Sequence, residues 1–179
     1  MIELKQTFKI TFCGIIAALA AVFMLFSYFP YLTYAIPAVS GLMMMILVIE
    51  LGEKWAFCAF IASSVIVFLT AENESKLMYI CFLGYYPILK AIIEKIGNQT
   101  LEWILKIVAF NTAIIIVYLI FSNLFGISTE DFNELGKYGA YIFLGIGNIT
   151  FIIYDFAISR LAGFYMIKLH PKISQMFKN

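Results

Sequence analysis

Apolar residues run along this chain in blocks, and a short polar cluster closes each one. The blocks cover about 9–29, 34–51, 54–71, 77–96, 101–124 and 138–167. An α-helix needs about 20 apolar residues to span the hydrocarbon core of a bilayer, so the pattern predicts six transmembrane helices. The first connection carries Pro30 with Tyr28, Phe29, Tyr31 and Tyr34, a composition suited to an interfacial aromatic belt, and Pro37 follows it. The second holds Glu50, Gly52, Glu53 and Lys54, the third Glu72, Asn73, Glu74 and Lys76, and the fourth Lys95, Gly97, Asn98 and Gln99. The fifth, Gly126 to Lys137, is the one long connection and holds Ser128, Thr129, Glu130, Asp131 and Glu134. The first apolar run continues through Phe23, Met24, Leu25 and Phe26, past the length of a signal-peptide core, and is read as the first span.

Composition agrees with folding in lipid. Hydrophobic residues make up 63% of the 179 residues, charged residues 13%, and mean hydropathy is +0.95, against roughly 45–50% and 25% in soluble domains. Six spans leave no length for a soluble domain, so the fold class is all-α, a single integral membrane domain over 1–179. The sign of the charges adds orientation. Of the 12 lysines and arginines, ten fall on the side of the N-terminus: Lys5, Lys9, Lys54, Lys90, Lys95, Lys106, Arg160, Lys168, Lys172 and Lys178. Lys76 and Lys137 fall on the other. Basic residues collect on the cytoplasmic side, which predicts a multi-pass protein of the cell membrane with both termini in the cytoplasm. The last block outruns one crossing, so its end is expected to project along the inner headgroups until Pro171 stops it.

Charge also limits function. A net charge of +1 without a basic stripe excludes nucleic acid as a partner. No HExxH, GxSxG, Walker lysine or paired-carboxylate motif is present, and the single histidine, His170, lies beside Pro171, so the chain is not read as an enzyme. Cys13, Cys58 and Cys81 lack metal-ligand spacing and read as buried small hydrophobes, so neither metal nor cofactor is expected.

Polar groups inside apolar spans are costly and mark function by default. Asn111, Thr112, Asn148 and Thr150 lie deep in spans, and Asp155 nearer the inner side is expected to reach Lys90 or a backbone group on a neighbouring helix. Glu50 and Glu94 are expected to snorkel to the inner surface. Gly84-Tyr85-Tyr86-Pro87 predicts a kink, because Pro87 has no N–H for the Leu83 carbonyl. The outer side gathers Tyr28, Tyr31, Tyr34, Tyr79, Tyr138 and Tyr141 with Asn73, Asn123 and Asn148. Such rings and amides suit a flat, partly polar solute. From this set and the kink, the candidate binding residues are Tyr31, Tyr34, Asn73, Tyr85, Tyr141 and Asn148. In helix 1, Gly14/Ala18 and Ala17/Ala21 form overlapping small-xxx-small pairs, which permit close helix approach in lipid. They serve either an internal seam or a partner's docking face.

With its six spans, inward termini, Ala-rich first helix Gly14-Ile-Ile-Ala-Ala-Leu-Ala-Ala21 and second helix from Pro37 to Gly52, the chain resembles the substrate-binding S component of energy-coupling factor (ECF) vitamin transporters. The resemblance implies capture of a vitamin-like small molecule on the outer side. It further implies docking through Gly14, Ala17, Ala18 and Ala21 on a transmembrane coupling subunit driven by cytoplasmic ATPases. The rival readings are a membrane scaffold such as an MreD-like cell-shape protein and, less well matched, a holin-like pore.

Overall fold

The computed structural model describes residues 6–124 and 139–176, and every regular element within them is helical. The helices follow the apolar blocks to within a few residues. They are α1 (Gln6–Leu25), α2 (Ala35–Leu51), α3 (Glu53–Thr70), α4 (Asn73–Met78), α5 (Tyr86–Ile93), α6 (Gln99–Leu124), α7 (Gly139–Lys168) and α8 (His170–Met176). A π-helical turn, Tyr79–Leu83, joins α4 to α5. Among the described residues, five stretches are long and apolar enough to cross a membrane: Gln6–Tyr28, Glu53–Thr70, Asn73–Ile96, Gln99–Val117 and Leu144–Lys168. The apolar helix α2, with 17 residues, is shorter. Large side chains such as Ile15 and Val22 on α1, Phe68 and Leu69 on α3, and Ile153 and Phe156 on α7 are exposed. So much outward apolar surface is a liability in water and what a lipid-facing wall requires. The expected fifth connection, with Tyr138, lies outside the described residues.

Polar contacts sort the helix ends into two sets. At one end the Tyr28 hydroxyl donates to the Thr70 carbonyl (3.1 Å), Tyr34 donates to Glu74 (2.9 Å) and Ser75 donates to the Thr33 carbonyl (2.7 Å). There Glu72 also caps α4, its carboxylate accepting the backbone N–H groups of Glu74 and Ser75 at 3.0 Å each, as a helix N-terminus demands. At the opposite end Lys95 pairs with Glu53, and Glu50 accepts from Tyr165 (2.8 Å) and lies 3.0 Å from His170 Nδ1. Consecutive long helices therefore run up and down.

Two cores fill the bundle. The first is built from α1, α2 and α3, with Ala17, Ala20 and Ala21 facing Met44, Leu47, Ala56 and Ala59. The second joins α2 to α5, α6 and α7 through Met45, Phe82, Tyr86, Ala113, Phe151 and Ile158. Phe110 and Phe151 stack at 4.5 Å and 10°, and Phe82 meets both edge-on.

The predicted break in the fourth apolar block is present, but it begins well before the proline. Gly84 N–H closes on the Tyr79 carbonyl at 2.8 Å, a five-residue ring that inserts an extra residue into the helix. Pro87 then sits in the first turn of α5, where its missing N–H costs nothing. Two glycines make the break possible. A Cβ on Gly84 would meet the Tyr79 carbonyl at 2.7 Å, and one on Gly41 of α2 would run into the Leu83 carbonyl. The carbonyl that Pro87 cannot serve thus points at the one α2 position with no side chain. Pro171 likewise opens a helix instead of ending one, since α8 starts at His170.

Candidate functional site

The candidate binding residues occupy three separate places. Tyr31 stands at the tip of the first connection, 98% exposed, with a left-handed backbone at φ +71° that a tyrosine rarely adopts. Tyr34 precedes α2 and donates to Glu74, one residue beyond Asn73, so the first and third connections meet there. Burial and then the Glu74 carboxylate hold the Tyr34 hydroxyl above the usual phenol range. Tyr85 lies deeper, at the helix break, half-buried with its ring edge-on to Phe60 (5.8 Å) and Phe82 (6.1 Å). Asn148, on α7, exchanges amide hydrogen bonds with Asn111 of α6 at 3.0 and 3.1 Å, and each also donates to its own helix carbonyl four residues back. The side chain of Tyr141 lies outside the described residues. The structure therefore joins Tyr34 to the Asn73 segment and assigns Asn148 to pairing α6 with α7.

The two small-residue pairs of α1 divide between two faces. Ala17 and Ala21 are buried in the seam with α2 and α3, whereas Gly14 and Ala18 are exposed. The Ala17 and Ala21 pair is taken up by the chain's own core, and the Gly14 and Ala18 pair is left on the surface. A shallow groove of about 240 Å³ runs beside Gly14 between α1 and α3, lined by Ile10, Cys13, Trp55 and Cys58 among others. Cys13 is buried, but Cys81 is half-buried and Cys58 exposed, so only the first matches its sequence reading in full.

The densest polar chemistry lies near the opposite end, inside the second core. Asp155 of α7 and Lys90 of α5 are each 4% exposed and form an ion pair at 2.5 Å, the partnership expected from sequence. The Tyr86 hydroxyl donates to the same Asp155 oxygen at 2.5 Å. Lys106 of α6, also buried, approaches Asp155 at 3.3 Å and Glu94 at 2.7 Å, and Lys90 reaches Glu94 at 2.8 Å. Two ammonium groups thus share two carboxylates, and the formal charge of the cluster is zero. Neutral balance with each charge hydrogen-bonded is what allows ions to stay in a medium of low polarity.

Sequence reading found one of these pairs and missed the rest. Lys90 and Glu94 are one helical turn apart, a spacing that pairs opposite charges, and Lys106 lies seven residues inside an apolar helix. Those two signals identify the other half of the cluster. Glu50 departs from its expected place: its side chain is 2% exposed, because Tyr165 and His170 fold over it and replace the water that snorkelling would have supplied. Arg160 stays apart from Asp155 and lies over the Phe156 ring at 4.9 Å.

Among the described residues no group of histidine, cysteine or acidic side chains has metal-binding geometry. Comparison with protein-family models, with curated proteins and with solved structures finds no match to this chain.

Proposed function

We propose that this chain is a substrate-capturing membrane subunit of the ECF type, which crosses the cell membrane six times with both termini in the cytoplasm. It takes a vitamin-like small molecule from the outer side, where Tyr34 meets the Asn73 segment and Tyr31 lies exposed, and carries out no reaction of its own. The observation that carries the reading is the double face of α1. Ala17, Ala20 and Ala21 are consumed in the internal seam while Gly14 and Ala18 remain open on the surface. A helix clamped on one side and small on the other suits close docking of a second membrane protein, since small residues let backbones approach in lipid. The meeting of Tyr34 with Glu74 supports the outer site, because it draws two connections together at one end of the bundle.

Mass spectrometry of small molecules released from the purified, denatured protein tests this reading directly. One stoichiometric compound, lost in Tyr34→Ala with the fold intact, is the expected result. Gly14→Trp and Ala18→Trp are expected to prevent co-purification with a coupling subunit while the compound is retained. A protein that releases no compound and tolerates all three substitutions is a scaffold of the MreD-like kind instead.

A further inference from the structure

We infer that the lysine-rich end of the α5–α6 seam is a binding site for a phosphate-bearing anion, which Lys90 and Lys106 accept in place of Glu94. The two carboxylates of the cluster are not equivalent. Asp155 is 4% exposed and takes bonds from Tyr86, Lys90 and Lys106, so it is a fixed counter-ion. The Glu94 side chain is 42% exposed and spends a single oxygen, Oε1, on both lysines. It also sits on the weakest piece of its helix, a short 3-10 turn, Glu94–Ile96, that ends at Gly97.

Moving Glu94 aside leaves two ammonium groups facing one carboxylate, an excess of one positive charge reachable from the helix end. A phosphate oxygen meets the same two donors that Glu94 Oε1 now satisfies, and its negative charge restores neutrality. Basic pockets between transmembrane helices at the cytoplasmic surface are suited to lipid headgroups in this way. Trp103, 39% exposed, stands beside the site with its ring 5.4 Å from Lys106 Nζ, an amphipathic ring suited to headgroup depth. The inference rests on membrane insertion with this end at a bilayer surface, and it holds whether or not the chain captures a solute.

The test uses the purified full chain in detergent, incubated with equal phosphatidylglycerol and phosphatidylcholine, with retained lipids counted by native mass spectrometry. Wild type is expected to keep phosphatidylglycerol preferentially, and Glu94→Gln is expected to raise that retention several-fold without changing phosphatidylcholine. Adding Lys106→Gln to Glu94→Gln restores a neutral Lys90–Asp155 pair and is expected to return retention to wild type or below. Competition with inorganic phosphate names the source of the anion. Displacement shows that free phosphate suffices, and retention shows that the acyl chains are required; both support the phosphate site. Unchanged phosphatidylglycerol retention in Glu94→Gln overturns the inference. If that variant does not fold, Glu94→Asp withdraws the carboxylate by one methylene, and unchanged retention there overturns it equally.

Discussion

The α1–α3 side of the bundle and the α5–α7 side solve the same problem with different chemistry. On the α1–α3 side, small residues let the helices come close, and the buried polar groups are serine hydroxyls: Ser63 donates to the Phe60 carbonyl at 2.9 Å and meets Tyr79 at 2.8 Å, whereas Ser40 and Ser64 have no hydrogen-bond partner among the described residues. On the α5–α7 side, aromatic rings fill the space between the helices, which also carries a four-charge cluster and a pair of amides. Lipid tails are as apolar as leucine, so helices in a bilayer associate through packing and through hydrogen bonds. The first side relies chiefly on packing, so it is expected to respond most to changes of volume. The second depends on charge balance and is expected to respond most to the loss of the buried Asp155.

Removing one ion is the strongest way to break that contrast. Asp155→Ala leaves Lys90 and Lys106 with one shared carboxylate and the Tyr86 hydroxyl without its acceptor. Breaking a buried pair in this manner costs about 3–5 kcal/mol. Thermal or denaturant unfolding in detergent is expected to show that loss, and Asp155→Ala combined with Lys106→Leu is expected to recover most of it. If Asp155→Ala unfolds like wild type, the cluster is hydrated and the contrast between the two sides is lost.

Adding volume tests the other side. Ala20 of α1 is fully buried in the seam with α2 and α3, so Ala20→Leu is expected to cost about 1–3 kcal/mol through overpacking. Ala18→Leu, two residues away and exposed, is expected to leave stability nearly unchanged. The difference in melting temperature between the two variants measures how far the seam extends around α1. Equal effects would mean that α1 is packed on all sides and has no free face for a partner.

These variants also mark where sequence reading succeeded and where it stopped. The helices were legible because each apolar block is long and bounded by charges such as Glu50 to Lys54 or, between the first two, by Pro30 and its flanking tyrosines. The Asp155–Lys90 pair was legible because a charge within an apolar span must find a partner. The division of α1 was not: Gly14, Ala17, Ala18 and Ala21 have the same chemistry, and only the crossing of α1 with α2 and α3 decides which are covered. The π-turn was hidden for a related reason. Pro87 announces a break, but the break's position depends on Gly41 of α2, a residue distant in sequence that leaves room for the Leu83 carbonyl. Asn148 looked like a ligand group because it was grouped with the outer aromatic rings, and its pairing with Asn111 became visible only when α6 and α7 were placed together.

The amide pair gives the smallest effect and the sharpest reading of what that side is for. Asn111 and Asn148 satisfy each other and their own helix carbonyls, so neither offers an idle donor while the pair is closed. Interhelical hydrogen bonds of this kind are worth about 0.6 kcal/mol on average and at most about 1.7 in membrane proteins. Asn111→Ala and Asn148→Ala are each expected to destabilise by an amount in that range, and the double variant by little more than either alone. A double-mutant cycle on unfolding free energy supplies the coupling directly. If the pair is purely structural, ligand retention follows stability and is the same in both single variants. If Asn148 opens to bind solute, Asn148→Ala loses the ligand while Asn111→Ala, which frees the Asn148 amide, retains it. The two variants remove the same two interhelical hydrogen bonds and differ in which amide, with its bond to its own helix, survives, so a difference in ligand retention cannot come from helix pairing.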